Sequence, residues 1–224
     1  MNYDNLSKSK AAFLSRFGTP ENTDKIMNSS NDANKTSVVD DSPYLKPEHV
    51  DQIMSGDNTF AKIRAIKRNK FIKPEHISNA IHSGKDSLIM NALSHPLASK
   101  SDITMGLAHD DPIYNMATMK NPSLNEKHID IALTSKNPSV LELAMKHPSF
   151  NEGHIKKIFA GDNNSLKHTA ISTVGTLDNP KSWNMLKLAS NDSDPWVASA
   201  AKRKLDANTK QHDEDMDLLQ ELNK

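Results

Sequence analysis

Four histidines and one aspartate recur at a nearly fixed interval: His49, His76, Asp102, His128 and His154, separated by 27, 26, 26 and 26 residues. Imidazole and carboxylate groups ligate metals and carry protons, so a regular column of them admits real chemistry. One possibility is a metal ladder across stacked helices, which lie roughly 8–10 Å apart. A structural zinc site wants about four ligands, and neighbours in one column supply two at a time. The other possibility is structural. Each member follows a helix-starting residue by three (Lys46, Lys73, Ser99, Asn125, Asn151), where an acceptor can bond the cap's backbone N–H. Ser99 with Asp102 is a capping box. Capping is the expected role, with metal binding or pH sensing as the alternative. No metal site and no cofactor is assigned.

Other candidates are fewer. His95 and His147 precede Pro96 and Pro148 where Asn121 precedes Pro122, and all three read as polar groups at a helix C-terminus. Asp110-Asp111 resembles a metal-binding pair, but Asp111 before Pro112 is better explained as a helix cap. There is no H-E-x-x-H, no G-x-S-x-G, no glycine-rich phosphate loop and no Cys–His pair, so no enzyme is expected. The strongest binding candidate is a basic run, Lys62, Arg64, Lys67, Arg68, Lys70 and Lys73, with no acid between Asp57 and Glu75. On a helix that buries Phe60, Ile63 and Ile66, the side chains of Arg64, Lys67 and Arg68 share another face. This is either a solvated face or a patch for phosphate or an acidic protein segment. Nearby Phe71 and Tyr44 occupy positions that read as buried, so no stacking platform for single-stranded nucleic acid is expected. A second candidate is the acidic tail, with Asp213, Glu214, Asp215 and Asp217 beside Leu218, Leu219 and Leu222. It is an interaction helix in this reading, and a partner for the basic run within the chain or between chains. Met54, Met90, Met105, Met116, Met119, Met145 and Met185 read as core filler, with a few lining an adaptable concave surface as the alternative. Trp183 and Trp196 read as sealing the C-terminal end, with an exposed interface pair as the alternative.

The elements that position these residues are helical and repeated. The cadence P-Y-L-K-P-E-H-V at 43–50 returns at 70–77, 96–103, 122–129 and 148–155. A period of this length marks one supersecondary unit stacked on copies of itself. In residues 121–147, Asn125 caps a first helix with the stripe Ile129, Ala132, Leu133. Asn137-Pro138 restarts the chain, and Val140, Leu141, Ala144 and Met145 form a second stripe. His147-Pro148 stops that helix, because the residue before proline disfavours the α region. Helices of this length are marginal alone in water, so stability has to come from stacking.

The residues Asn121-Pro122, Ile129, Leu133, Val140, Ala144 and His147-Pro148, with their equivalents on either side, resemble the leucine-rich repeat variant family. The resemblance spans about 19–205 and implies an α-solenoid in the style of HEAT repeats. One departure is that the family usually carries Arg after the Val of the second helix, and here only Ile63-Arg64 comes close. The P-E-H-I cadence is also similar to repeat proteins of tailed bacteriophages, which implies a phage accessory or virion component.

The expected fold is therefore all-α: a solenoid of about seven two-helix repeats of 26–27 residues with terminal capping helices. Residues 1–18 form the N-terminal cap, with its helix from Lys10 to Phe17. Residues 19–205 form the array, with a long polar loop at 28–42, and residues 206–224 form the acidic tail. Twenty-eight basic residues balance 28 acidic ones, so no global field steers the chain to nucleic acid or anionic membrane. With no cysteine, no apolar leader and no membrane-length apolar run, a soluble cytoplasmic or virion protein is expected. The function expected is a protein–protein scaffold that can self-associate. Nucleic-acid binding through 62–73 is the alternative.

Overall fold

The computed structural model describes residues 1–174 and 180–222; at 174, 180–181 and 212–222 only the backbone is described. Fifteen α-helices and no strand occur among the described residues. The chain forms two compact units, Met1–Ser123 and Leu124–Lys224.

The first unit holds α1 (Lys8–Phe17), α2 (Pro20–Met27), α3 (Asp32–Asp41), α4 (Pro47–Ser55), α5 (Thr59–Arg68), α6 (Pro74–Ile81), α7 (Asp86–Leu93), α8 (Lys100–Ala108) and α9 (Pro112–Thr118). Consecutive helices pair as α2 with α3, α4 with α5, α6 with α7 and α8 with α9. The odd-numbered helices also stack in a row, α1 on α3, α3 on α5, α5 on α7 and α7 on α9. The second unit holds α10 (Glu126–Ala132), α11 (Pro138–Lys146), α12 (Glu152–Ala160), α13 (Asn164–Val174), α14 (Pro180–Ala189) and α15 (Pro195–Leu222). It repeats the pattern: α10 pairs with α11, α12 with α13, α14 with α15, and α11, α13 and α15 stack in turn.

Local signals set the boundaries. Proline opens α2, α4, α6, α9 and α11 in the first turn, where its missing N–H has no intrahelical partner to lose. Asn125, Asn137, Asp111 and Asn151 accept backbone N–H groups at their helix starts. Ile129, Ala132, Val140, Leu141, Ala144 and Met145 are buried, as the stripes of that repeat require.

One expectation about organisation is corrected. Residues 28–42 are not a long loop, because they contain α3. Its polar composition hides a helix capped by Asn31, whose side chain accepts from the backbone N–H of both Ala33 and Asn34. Val38 and Val39 are buried, and Asn34 donates to the Leu6 carbonyl at 3.1 Å. The α15 helix runs unbroken through 28 residues from Pro195 to Leu222, so the backbone of the tail is helical as far as 222.

Candidate functional site

The histidine column is a set of helix caps with a second function. In the first unit, Nδ1 of His49 accepts from the Lys46 backbone N–H at 3.3 Å, and Nδ1 of His76 from that of Lys73 at 3.2 Å. Asp102 accepts from Ser99 in the same way, and so does Asn22 from Thr19. In the second unit, His128 and His154 accept from Asn125 and Asn151 at 3.1 and 3.0 Å. All four histidines are buried. The opposite edge of the ring reaches back one hairpin. Nε2 of His49 lies 3.0 Å from Asp24, Nε2 of His76 lies 2.9 Å from Asp51, and Nε2 of His154 contacts the Glu126 carbonyl at 3.2 Å and Asp130 at 3.7 Å.

Lysines complete the pattern. Lys46 binds Asp24 and Lys73 binds Asp51, each at 2.8 Å, and Lys157 binds Asp130 at 2.7 Å. The hydrogen bond from Lys46 holds the Asp24 carboxyl below the usual carboxylate range, and Lys73 does the same for Asp51. Lys46 and Lys73 occupy cap positions but accept nothing there, because an ammonium only donates. An Asp–His pair can serve acid–base catalysis only if the second ring nitrogen faces a substrate. Here that nitrogen accepts a backbone N–H, so the pair crosslinks neighbouring hairpins. Among the described residues no three metal-ligating side chains converge.

The residues before the inter-hairpin prolines act in the turn itself. His95 Nδ1 accepts from the Leu97 N–H and His147 Nδ1 from the Ser149 N–H, both at 3.1 Å. Asn121 Oδ1 takes the Ser123 N–H at 2.8 Å. Burial pushes both imidazoles below their ordinary range. Asp111 caps α9 by accepting from Ile113 at 2.9 Å; Asp110 beside it is exposed.

The basic run is largely engaged. Arg64 and Arg68 approach Asp40 on α3 at 3.5 and 3.7 Å, and Lys73 is held by Asp51. Lys62 lines a cleft of about 340 Å³ together with Asp51, Lys73, Glu75 and Leu88. Lys67 and Lys70 are exposed, and Lys70 lies 5.1 Å from the centre of the Phe71 ring. Of the three side chains Arg64, Lys67 and Arg68, the first is half-buried and the other two are exposed. Phe60 is not buried, being 56% exposed under the Arg64 guanidinium; Ile63 is half-buried, and the core side of α5 is Ala61, Ala65 and Ile66. Tyr44, expected inside, is exposed, and Phe71 is half-buried.

The acidic tail continues the backbone of α15, but the side chains of Asp213, Glu214, Asp215, Asp217, Leu218, Leu219 and Leu222 lie outside the described residues. Trp183 is half-buried, whereas Trp196 is 75% exposed and seals nothing. Most of the named methionines are buried, including Met54, Met119, Met145 and Met185, while Met105 is exposed.

Two exposed features were not anticipated. On α1, Phe13 and Phe17 are 61% and 67% exposed and pack on each other, ring centres 5.3 Å apart. In the second unit an open groove of about 440 Å³ runs between α13 and α15. The first was visible as an i, i+4 aromatic pair opposite the small residues Ala11 and Ser15. The second depends on how two helices pack. No helix among the described residues is long and apolar enough to cross a membrane.

Compared with protein-family models, with curated proteins and with solved structures, the chain matches none.

Proposed function

We propose that the chain is a non-enzymatic protein-interaction scaffold, built as an α-solenoid of about seven two-helix repeats of 26–27 residues. The observation that carries this reading is the outer face of α1. A terminal helix that only caps an array turns a polar face to water. The α1 helix instead offers Phe13 and Phe17 beside Arg16, a ring pair that a partner would cover. Aromatic residues, phenylalanine included, are enriched at the cores of protein interfaces, and Arg16 beside this pair is held by Asp41 at 2.6 Å. The engagement of the column histidines by cap amides and carboxylates also favours binding over catalysis.

The test is affinity capture from extracts of the native source, with and without nuclease, read by mass spectrometry. The bait is compared with a Phe13→Ser/Phe17→Ser variant of unchanged helicity. A discrete protein retained through nuclease treatment and lost with the variant is the expected result. Nuclease-sensitive capture that survives the variant, and is abolished by Lys67→Glu/Lys70→Glu, would replace the scaffold reading with nucleic-acid binding.

A further inference from the structure

Between α13 and α15 the second unit presents an apolar floor inside a basic border. The floor is Ile171, Ala200 and Ala207, and the border is His168, Arg203 and Lys204. Among the described residues no carboxylate lines the groove, and Asp206, the acid next along α15, lies outside the lining. No ion pair among the described residues uses Arg203 or Lys204. This sets them apart from Lys46, Lys73, Lys157 and Lys167, each of which is held by an aspartate. Trp196 stands on the same face of α15, because positions 196, 200, 203 and 207 are spaced by four, three and four residues. It is 75% exposed. At about 1.5 Å per residue, the stripe from Trp196 to Ala207 is about 17 Å long.

The shape and chemistry of this surface select an occupant. Small-molecule pockets enclose most of their ligand, whereas this groove is open and covers one side only. An extended peptide would need partners for its own N–H and C=O groups, and the side chains of Ile171, Ala200 and Ala207 offer none. A helix bonds its backbone internally and needs only a groove for its apolar stripe. The two alanines let larger side chains of that stripe approach α15 closely, and the unpaired cations favour acids beside it.

We propose that the α13–α15 groove binds an acidic amphipathic helix of a partner protein. Aliphatic side chains of that helix lie over Ile171, Ala200 and Ala207, its carboxylates meet Arg203 and Lys204, and Trp196 packs against one end. About three helical turns span the surface. This surface is separate from the aromatic pair on α1, and the proposal does not depend on that site having a partner.

The full chain is titrated into a fluorescein-labelled peptide of about 18 residues, longer than the ~12–15 at which isolated helices become viable. The peptide carries leucine on one helical face and glutamate on the others, and binding is read by anisotropy. One control replaces glutamate by lysine; a second scrambles the order so that the leucines share no face. The acidic amphipathic peptide is expected to bind below about 100 µM, at least ~10-fold more tightly than either control. Arg203→Glu/Lys204→Glu, with helicity checked by circular dichroism, reverses the preference between the glutamate and lysine peptides. Trp196→Ala weakens the acidic peptide by about 10-fold. Absence of saturable binding up to about 1 mM overturns the proposal. So does equal affinity for the glutamate and lysine peptides, or an affinity indifferent to either variant. A wild type that self-associates in sedimentation equilibrium, and loses this in Arg203→Glu/Lys204→Glu, assigns the groove to a second copy and overturns it as well.

Discussion

Asp192→Asn is expected to loosen the second unit more than any surface change of equal size. Lys167 on α13 reads in sequence as the one basic residue of its helix, yet its side chain is 5% exposed and lies 2.8 Å from an Asp192 carboxylate that is 3% exposed. The pair ties α13 to the turn between α14 and α15. Burial raises the Asp192 carboxyl, but the hydrogen bonds from Lys167 and from the Asp194 backbone N–H outweigh it, so the group sits below the usual carboxylate range. Asparagine keeps the side-chain oxygen that accepts from Asp194 at 2.9 Å, but it puts an NH2 group in place of the oxygen that accepts from Lys167, so both the charge and that acceptor are lost. Breaking a buried ion pair costs about 3–5 kcal/mol. Here the carboxylate lies between the exposed turn residues Asn191 and Ser193, where the effective dielectric is intermediate, so about 2–3 kcal/mol is expected. The chain's two tryptophans, Trp183 and Trp196, both belong to the second unit, so their fluorescence in a urea titration reads this unit directly. Lys167→Met/Asp192→Asn removes the stranded ammonium and should recover most of the loss. A single-variant loss under ~0.5 kcal/mol would mean the pair is solvated. A double variant as unstable as Asp192→Asn would mean the carboxylate matters to the turn and not to the lysine. Because the folded pKa of Asp192 is depressed, its contribution is present above about 4 and disappears as pH falls through the lowered value.

Gly106→Ala ordinarily strengthens a helix by about 1 kcal/mol. In α8 a Cβ there would stand 2.3 Å from Thr118 Oγ1 and 2.9 Å from Leu93, so a net loss of about 1–3 kcal/mol is expected by thermal or urea unfolding, partly recovered by Thr118→Ala. His154→Ala removes the cap bond, the contact to the Glu126 carbonyl and the stacking on Phe150, for a loss of about 2–3 kcal/mol, and His154→Asn should regain about 1 of it by restoring the cap acceptor. Since His95 and His147 have lowered folded pKa values, their stability is complete above about 6.5 and declines as pH falls through the folded values, because the unfolded chain takes the proton first. Midpoints measured from pH 8 to 5 should therefore fall. The fall should be smaller in His95→Asn/His147→Asn, because Asn121 makes the same turn bond without titrating.

What could be read in the sequence was what is settled within a few residues. A cap and its acceptor are three positions apart, so Ser99–Asp102 and Asn125–His128 announce themselves. A proline after Asn or Asp marks a helix start wherever it occurs. The partners of those same histidines were not legible. Asp24 and Asp51 lie 25 residues before His49 and His76, and only the rotation from one hairpin to the next decides that they meet. The same limit hid Lys167, whose partner is 25 residues away. The α3 helix was missed for another reason. Its residues are polar because its buried side includes Asn34, Thr36 and Ser37, so the usual apolar stripe is faint. Phe60 was misjudged because an aromatic at helical spacing normally points inward; here small residues, Ala61 and Ala65, take the inner positions.

Those long-range pairs change how charge should be interpreted in such a chain. Summed along the sequence, residues 62–73 are a run of six basic side chains. Summed at the separation of neighbouring hairpins, Arg64 and Arg68 meet Asp40, and Lys73 meets Asp51. Charges paired in this way tie neighbouring hairpins together, while Lys67 and Lys70 stay exposed. The same logic gives weight to what stacking leaves over. Phe13 and Phe17 on the first helix, and Trp196 with Arg203 on the last, are large or charged groups that no neighbouring hairpin covers. Stacked hairpins cover one another's side chains, and these are groups that this stacking leaves to solvent.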